Sequence, residues 1–200
     1  MTKSTKRTVR SPYFKSQKSP YFKKQTLQIK SSTNIQIQIK RLKSTRQLFK
    51  HWIPPKSPYG LIQESLYCNP WQLLISSIFL NKTCGKVAIP LLKIFLQKYP
   101  TAQSIIEADE QDIANILQPI GLNNRRARTI KKFSQDFITK KWIYPIELHG
   151  IGKYGNDSYK IFVLGEWQTT KPQDKMLNKY HEWLFKRSEN QEEVKLLEED

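Results

Sequence analysis

The stretch Leu148-His149-Gly150-Ile151-Gly152-Lys153-Tyr154-Gly155 decides the fold. Its Gly-x-Gly core can make a turn tighter than ordinary residues allow, because glycine tolerates positive φ and leaves its N–H uncovered. Uncovered N–H groups at the start of a following helix form an anion site, suited to a phosphate of a nucleic-acid backbone. Such a hairpin grips phosphate and reads no base edges. Gly-x-Gly alone is a weak signal. The apolar flanks Leu148 and Ile151, which can anchor the turn in a core, strengthen it.

Working outward, the body reads as helices. Asn69 caps a helix with Pro70 at its first position, where a missing N–H costs nothing, and this helix runs to about Leu80. Gly85 to Tyr99 follows, with Val87, Leu91, Ile94 and Phe95 at helical spacing and Pro90 expected to kink or start it. Thr101 and Asp109 are placed to cap two short helices, the second burying Ile113, Ile116 and Leu117, and Gly121 ends the pair. A basic helix then spans Asn123 to about Thr139, with Ala127, Ile130, Phe133 and Phe137 inward and Arg125, Arg126, Arg128, Lys131 and Lys132 mostly outward. After the hairpin come Asp157 to Leu164 and Asp174 to about Arg187, the latter burying Leu177, Tyr180, Trp183 and Leu184. No run of alternating strands appears in the body, so the predicted class is all-α.

Charge divides the chain of 200 residues. Residues 1–60 hold 15 Lys/Arg and no Asp or Glu, whereas residues 61–200 hold 19 basic and 17 acidic side chains. Residues 1–50 read as a disordered basic arm, 51–187 as the folded domain and 188–200 as an acidic tail. A basic arm on a mildly basic globule points to a polyanion partner, the other reading being a solvated tail with none. Within the arm Ser11-Pro12-Tyr13-Phe14 repeats as Ser19-Pro20-Tyr21-Phe22, a candidate docking element for a protein or for bases. Ile35, Ile37 and Ile39 alternate like a strand but have nothing nearby to pair with. The 5 Trp, 9 Tyr and 9 Phe suffice for a core, and Leu73 to Leu80 is too short to span a bilayer. With only Cys68 and Cys84, neither a disulfide framework nor a cysteine-held zinc or iron–sulfur cluster can form. His149 and His181 lack a third metal ligand at suitable spacing and read as structural. The expectation is a soluble, intracellular monomer with no metal, no cofactor and no membrane contact.

Several stretches carry a resemblance. They are Ser57-Pro58-Tyr59-Gly60-Leu61-Ile62-Gln63-Glu64, Asn69-Pro70-Trp71, Leu80-Asn81-Lys82-Thr83 and Gly85-Lys86. Tyr144 through Tyr159 and Leu177-Asn178-Lys179-Tyr180-His181-Glu182-Trp183-Leu184 complete the set. Together they span roughly two-thirds of the chain, Pro54 to Leu184, in unbroken order. This region resembles the catalytic domain of the methyl-CpG-binding-domain thymine glycosylases, in the helix-hairpin-helix superfamily that includes endonuclease III. Residues 1–50 leave no room for a methyl-CpG-binding domain, so the glycosylase part is expected alone.

The resemblance implies a helix-hairpin-helix DNA glycosylase fold and a base excision repair enzyme of the nucleus. It would remove thymine or uracil mispaired with guanine in double-stranded DNA. It further implies Asp174 as the catalytic carboxylate, since breaking an N-glycosidic bond builds positive charge on the sugar that a carboxylate stabilises. Read without the resemblance, Asp174 is an N-cap. Gln63 matches the residue that hydrogen-bonds the extruded pyrimidine, with Tyr154 packing on it; a core glutamine bonded to backbone is the plainer reading. Tyr154 stands where bifunctional members carry a lysine, and a phenol forms no Schiff base, so the enzyme is expected to leave an abasic site. Gly150, Gly152, Lys153 and Gly155 would meet the DNA backbone. Leu122 matches a wedge, and Lys82 stands where animal members have an arginine that fills the gap left by the flipped base. A non-catalytic hairpin module and a bifunctional glycosylase/lyase are the competing readings.

Overall fold

The computed structural model describes residues 52–198, with side chains described through Asn190. The Ser-Pro-Tyr-Phe repeats and the Ile35–Ile39 alternation lie outside the described residues. Those described form helices and loops, with no strand. In order they are α1 (Gln63–Leu66), α2 (Pro70–Leu80), α3 (Gly85–Lys98), α4 (Ala102–Glu107), α5 (Glu110–Leu117), α6 (Asn123–Thr139), α7 (Lys153–Tyr159) and α8 (Lys175–Glu198). Short 3₁₀ turns precede α6 and α7, and a π turn over Lys160–Leu164 continues α7.

Local chemistry explains most of these boundaries. The Asn69 side chain accepts from the Gln72 amide with Pro70 in the first turn, and the Asp109 carboxylate accepts from Gln111 and Asp112. Thr101 and Ser104 form a reciprocal capping box. α2 is the centre of the core: Leu73, Leu74, Ile75 and Phe79 have no exposed surface, the mark of a helix covered on every side. Its Trp71 indole donates to Ser134 Oγ of α6 at 3.1 Å, and Phe79 meets the Phe95 ring of α3 edge-on at 5.0 Å. The segment entering the domain is also tied down. Trp52 Nε1 donates to Ile161 O at 2.9 Å, and Tyr180 Oη donates to Pro55 O at 2.9 Å.

The structure corrects four sequence readings. In α3 the buried stripe is Ala88, Leu92 and Phe95, while Val87 and Ile94 face solvent. That helix is apolar on both sides, so periodicity alone does not choose its inner face, and α3 runs through Pro90. The helix after the hairpin begins at Lys153 rather than Asp157, with Gly155 inside it. A Cβ on Gly155 would lie 2.7 Å from Ser77 Oγ, so this glycine permits α7 to cross close to α2. Arg126, placed outward with its basic neighbours, is buried at 7% exposure. At the other end of the chain, α8 continues past Arg187 to Glu198.

Candidate functional site

A cleft of about 860 Å³ opens where α1, the α2–α3 loop, the hairpin and the start of α8 converge. Gln63, Lys82, Gly150, Gly152, Lys153, Tyr154, Gly155 and Asp174 all line it. Eight of the nine residues singled out from the sequence thus meet in one place, although they span more than a hundred positions of chain. Leu122 is outside the lining.

At its floor, Gln63 is 2% exposed and its Nε2 donates to Tyr154 Oη at 2.7 Å. The glutamine's partner is therefore a side chain across the cleft, not the backbone. Burial, reinforced by the negative charge of Asp174, pushes the Tyr154 phenol up to about 12, while the bond from Gln63 acts the other way. Tyr154 is neutral throughout the physiological range. The strap Ser57–Leu61 is wrapped on buried Glu64, whose carboxylate accepts from Ser57 N, Ser57 Oγ at 2.6 Å and Leu61 N. This places Gln63 on a fixed element.

Asp174 does cap α8: its Oδ1 accepts from the amides of Met176 at 2.9 Å and Leu177 at 3.0 Å. Oδ2 takes no hydrogen bond from the described residues. Capping fixes the carboxylate's orientation and leaves one oxygen for the cleft, so the two readings of Asp174 are compatible.

The hairpin is built as its glycines require. Gly150 has φ +77°, and a Cβ there would collide with the Thr129 side chain. The Asp136 carboxylate accepts from the His149 amide at 3.2 Å and from Lys140 Nζ at 2.7 Å, pinning the turn to α6; the lysine and that amide hold the Asp136 carboxyl below its ordinary range despite its burial. The first intrahelical bond of α7 runs from Asn156 N to Gly152 O, leaving the preceding amides without helical acceptors. Lys153 lines the cleft beside the hairpin, and its ammonium bonds Asp157 Oδ2 at 2.7 Å and Lys171 O at 2.8 Å. It ties α7 to the loop that leads into Asp174. The His181 ring bonds Trp167 O at 2.7 Å.

Residues 75–199 match the family described as "HhH-GPD superfamily base excision DNA repair protein". The chain belongs to that superfamily. A methyl-CpG-binding domain protein 4-like protein of Arabidopsis thaliana is 36% identical over 133 residues, covering 66% of this chain and 30% of that protein. A thymine/uracil-DNA glycosylase of Pyrobaculum aerophilum is 31% identical over 72 residues, covering 36% of this chain and 31% of its own. A solved thermostable thymine-DNA glycosylase overlays with a TM-score of 0.47 at 22% identity, covering 66% of this chain and 61% of that one. The chain spans about a third of the length of these two curated relatives.

Within this HhH-GPD chain, sequence reading missed Arg126, whose five N–H groups all find acceptors. Nε donates to Gly121 O at 3.0 Å, Nη1 to Ile78 O at 2.6 Å and Phe79 O at 3.2 Å, and Nη2 to Asn81 O at 2.9 Å and Thr83 Oγ1 at 2.7 Å. A signal existed: Arg126 precedes Ile130, Phe133 and Phe137 at helical spacing, on the buried stripe of α6.

Proposed function

We propose that the protein is a monofunctional DNA glycosylase that excises thymine or uracil mispaired with guanine, on nuclear DNA. The observation that carries this reading is the meeting of Gln63, Tyr154 and Asp174 in one cleft beside a glycine hairpin. The name of the thymine/uracil-DNA glycosylase relative supports the substrate class.

In this mechanism the hairpin amides and the basic face of α6 hold the DNA backbone, and the pyrimidine is extruded into the cleft. The Gln63 amide offers both donor and acceptor to the base edge, as a thymine or uracil edge requires. The neutral Tyr154 ring forms a wall. As the C1′–N bond breaks, electrons leave with the base, and the Asp174 carboxylate stabilises the positive sugar and orients a water. Water's oxygen bonds C1′, its proton passes to solvent or to the departing base, and the products are free base and an abasic strand. Tyr154 supplies no amine for a Schiff base, and the ammonium of neighbouring Lys153 is engaged by Asp157 and Lys171 O.

The test is excision from duplexes carrying G·T, G·U, A·T and A·U, each read with and without alkali. The account predicts abasic product from the two guanine mismatches, cut only after alkali. Strand breaks without alkali, borohydride-trapped protein–DNA adduct, or no excision at all would overturn it.

A further inference from the structure

Among the described residues, Lys82 and Leu122 are the two non-glycine positions with positive φ, at 55° and 51°. Left-handed backbone is disfavoured for side chains with a Cβ and persists where its surroundings hold it. Both residues are exposed, and they lie in different loops, one after α2 and one before α6. What joins the loops is the buried guanidinium of Arg126. Its Nε holds the carbonyl immediately before Leu122, and its Nη2 holds the carbonyl immediately before Lys82 and the hydroxyl immediately after it. The Arg126 amide also bonds Leu122 O at 2.8 Å. Nη1 meanwhile bonds Ile78 O and Phe79 O, carbonyls that the end of α2 would otherwise leave without partners.

We propose that Arg126 is a positioning residue that fixes the Lys82 and Leu122 tips as one rigid two-pronged wedge. This rests on the glycosylase reading above. The residue touches neither base nor sugar. It sets the separation and backbone state of two prongs, Leu122 as the one that enters the base stack and Lys82 as the lesser one beside it, as the pyrimidine leaves. Rigidity matters most where a stacked, paired base has to be displaced, and least where the target base is already unpaired. A lysine in its place has three donors on a point charge and cannot meet five acceptors distributed over two loops and a helix end.

The experiment compares Arg126→Lys and Thr83→Val with the unsubstituted chain. Thr83→Val removes one acceptor of Arg126 at a half-buried loop position and opens no core cavity, so it remains informative if Arg126→Lys folds poorly. Single-turnover excision from G·T duplex should fall about tenfold or more in Arg126→Lys, against less than about threefold for unpaired uracil, with the same selectivity at smaller size in Thr83→Val. Amide hydrogen exchange supplies a readout independent of activity. Thr83→Val should speed exchange at Gly121 and Arg126, whose amides are hydrogen-bonded on either side of Leu122, as well as in its own loop. Equal losses on paired and unpaired uracil, or exchange changes confined to residues 81–84, would overturn the coupling. If the unsubstituted chain excises nothing, the glycosylase reading fails, while the exchange result still decides whether the two loops are joined.

Discussion

Gln63 is 2% exposed and bonded to Tyr154, whereas Leu122 is 60% exposed and stands with Lys82 on left-handed backbone. The cleft floor is specified by side chains: an amide, a phenol and a carboxylate, each held by a partner of known chemistry. The rim, with Lys82 on the cleft lining and Leu122 beyond it, is specified by the backbone of two loops, which a residue on a third element keeps in place. A floor residue is therefore defined by what its atoms can bind, and a rim residue by where it is held. Substitutions at the floor should act on the chemical step for every substrate. Those at the rim should act on base extrusion and spare substrates that need none.

The largest effect is expected at the floor. Asp174→Asn keeps the shape and one capping oxygen but removes the charge, so excision should fall by about a thousandfold or more with DNA binding nearly intact, as single-turnover rates and binding titrations would read. Near-normal excision would remove Asp174 from the chemistry. Next is Gln63→Leu, which leaves the base edge without its partner and should cost about ten- to a hundredfold on every substrate. Its loss also frees the Tyr154 phenol from a bond that lowers its pKa, so the phenol's pKa should rise further. Tyr154 and Tyr159 are both pushed up to about 12 from 10.0, chiefly by burial. Their stabilising contribution is complete below pH 10 and is lost as pH climbs towards 12, so thermal unfolding followed against pH should show the midpoint falling across that window.

How much of this was legible in the sequence follows the same division. The caps Asn69, Thr101 and Asp109 act on amides two or three residues away, so local reading locates α2, α4 and α5. The floor residues were found through the resemblance, and Asp174 read alone is only a cap. The inner face of α3 was not legible, because Val87 and Ile94 are as apolar as the residues that are buried. Arg126 was not legible by charge, because its acceptors are four carbonyls and a hydroxyl, up to 48 positions away. The bonds of Lys153 to Asp157 and Lys171 O were likewise hidden behind a phosphate-facing expectation.

At the rim smaller effects are expected. Lys82→Ala should lower G·T excision only about threefold, since a flexible ammonium fills a base stack poorly, and Lys82→Arg should raise it. A tenfold loss for Lys82→Ala would shift the wedge role from Leu122 to Lys82. The smallest effect on chemistry is predicted for deletion of residues 1–50. Excision at low salt should persist, while the log–log salt dependence of binding flattens by about 0.9 for each phosphate that the arm no longer neutralises. An unchanged slope would mean that the arm does not touch DNA.

The division between floor and rim is tested most directly by one paired measurement: single-turnover excision of uracil from a G·U duplex and from a single strand, for Asp174→Asn and Leu122→Ala. The account predicts that Asp174→Asn loses the same large factor on both substrates. Leu122→Ala should lose about tenfold on the duplex and little on the single strand. Equal losses on both substrates for Leu122→Ala, or a duplex-selective loss for Asp174→Asn, would contradict it.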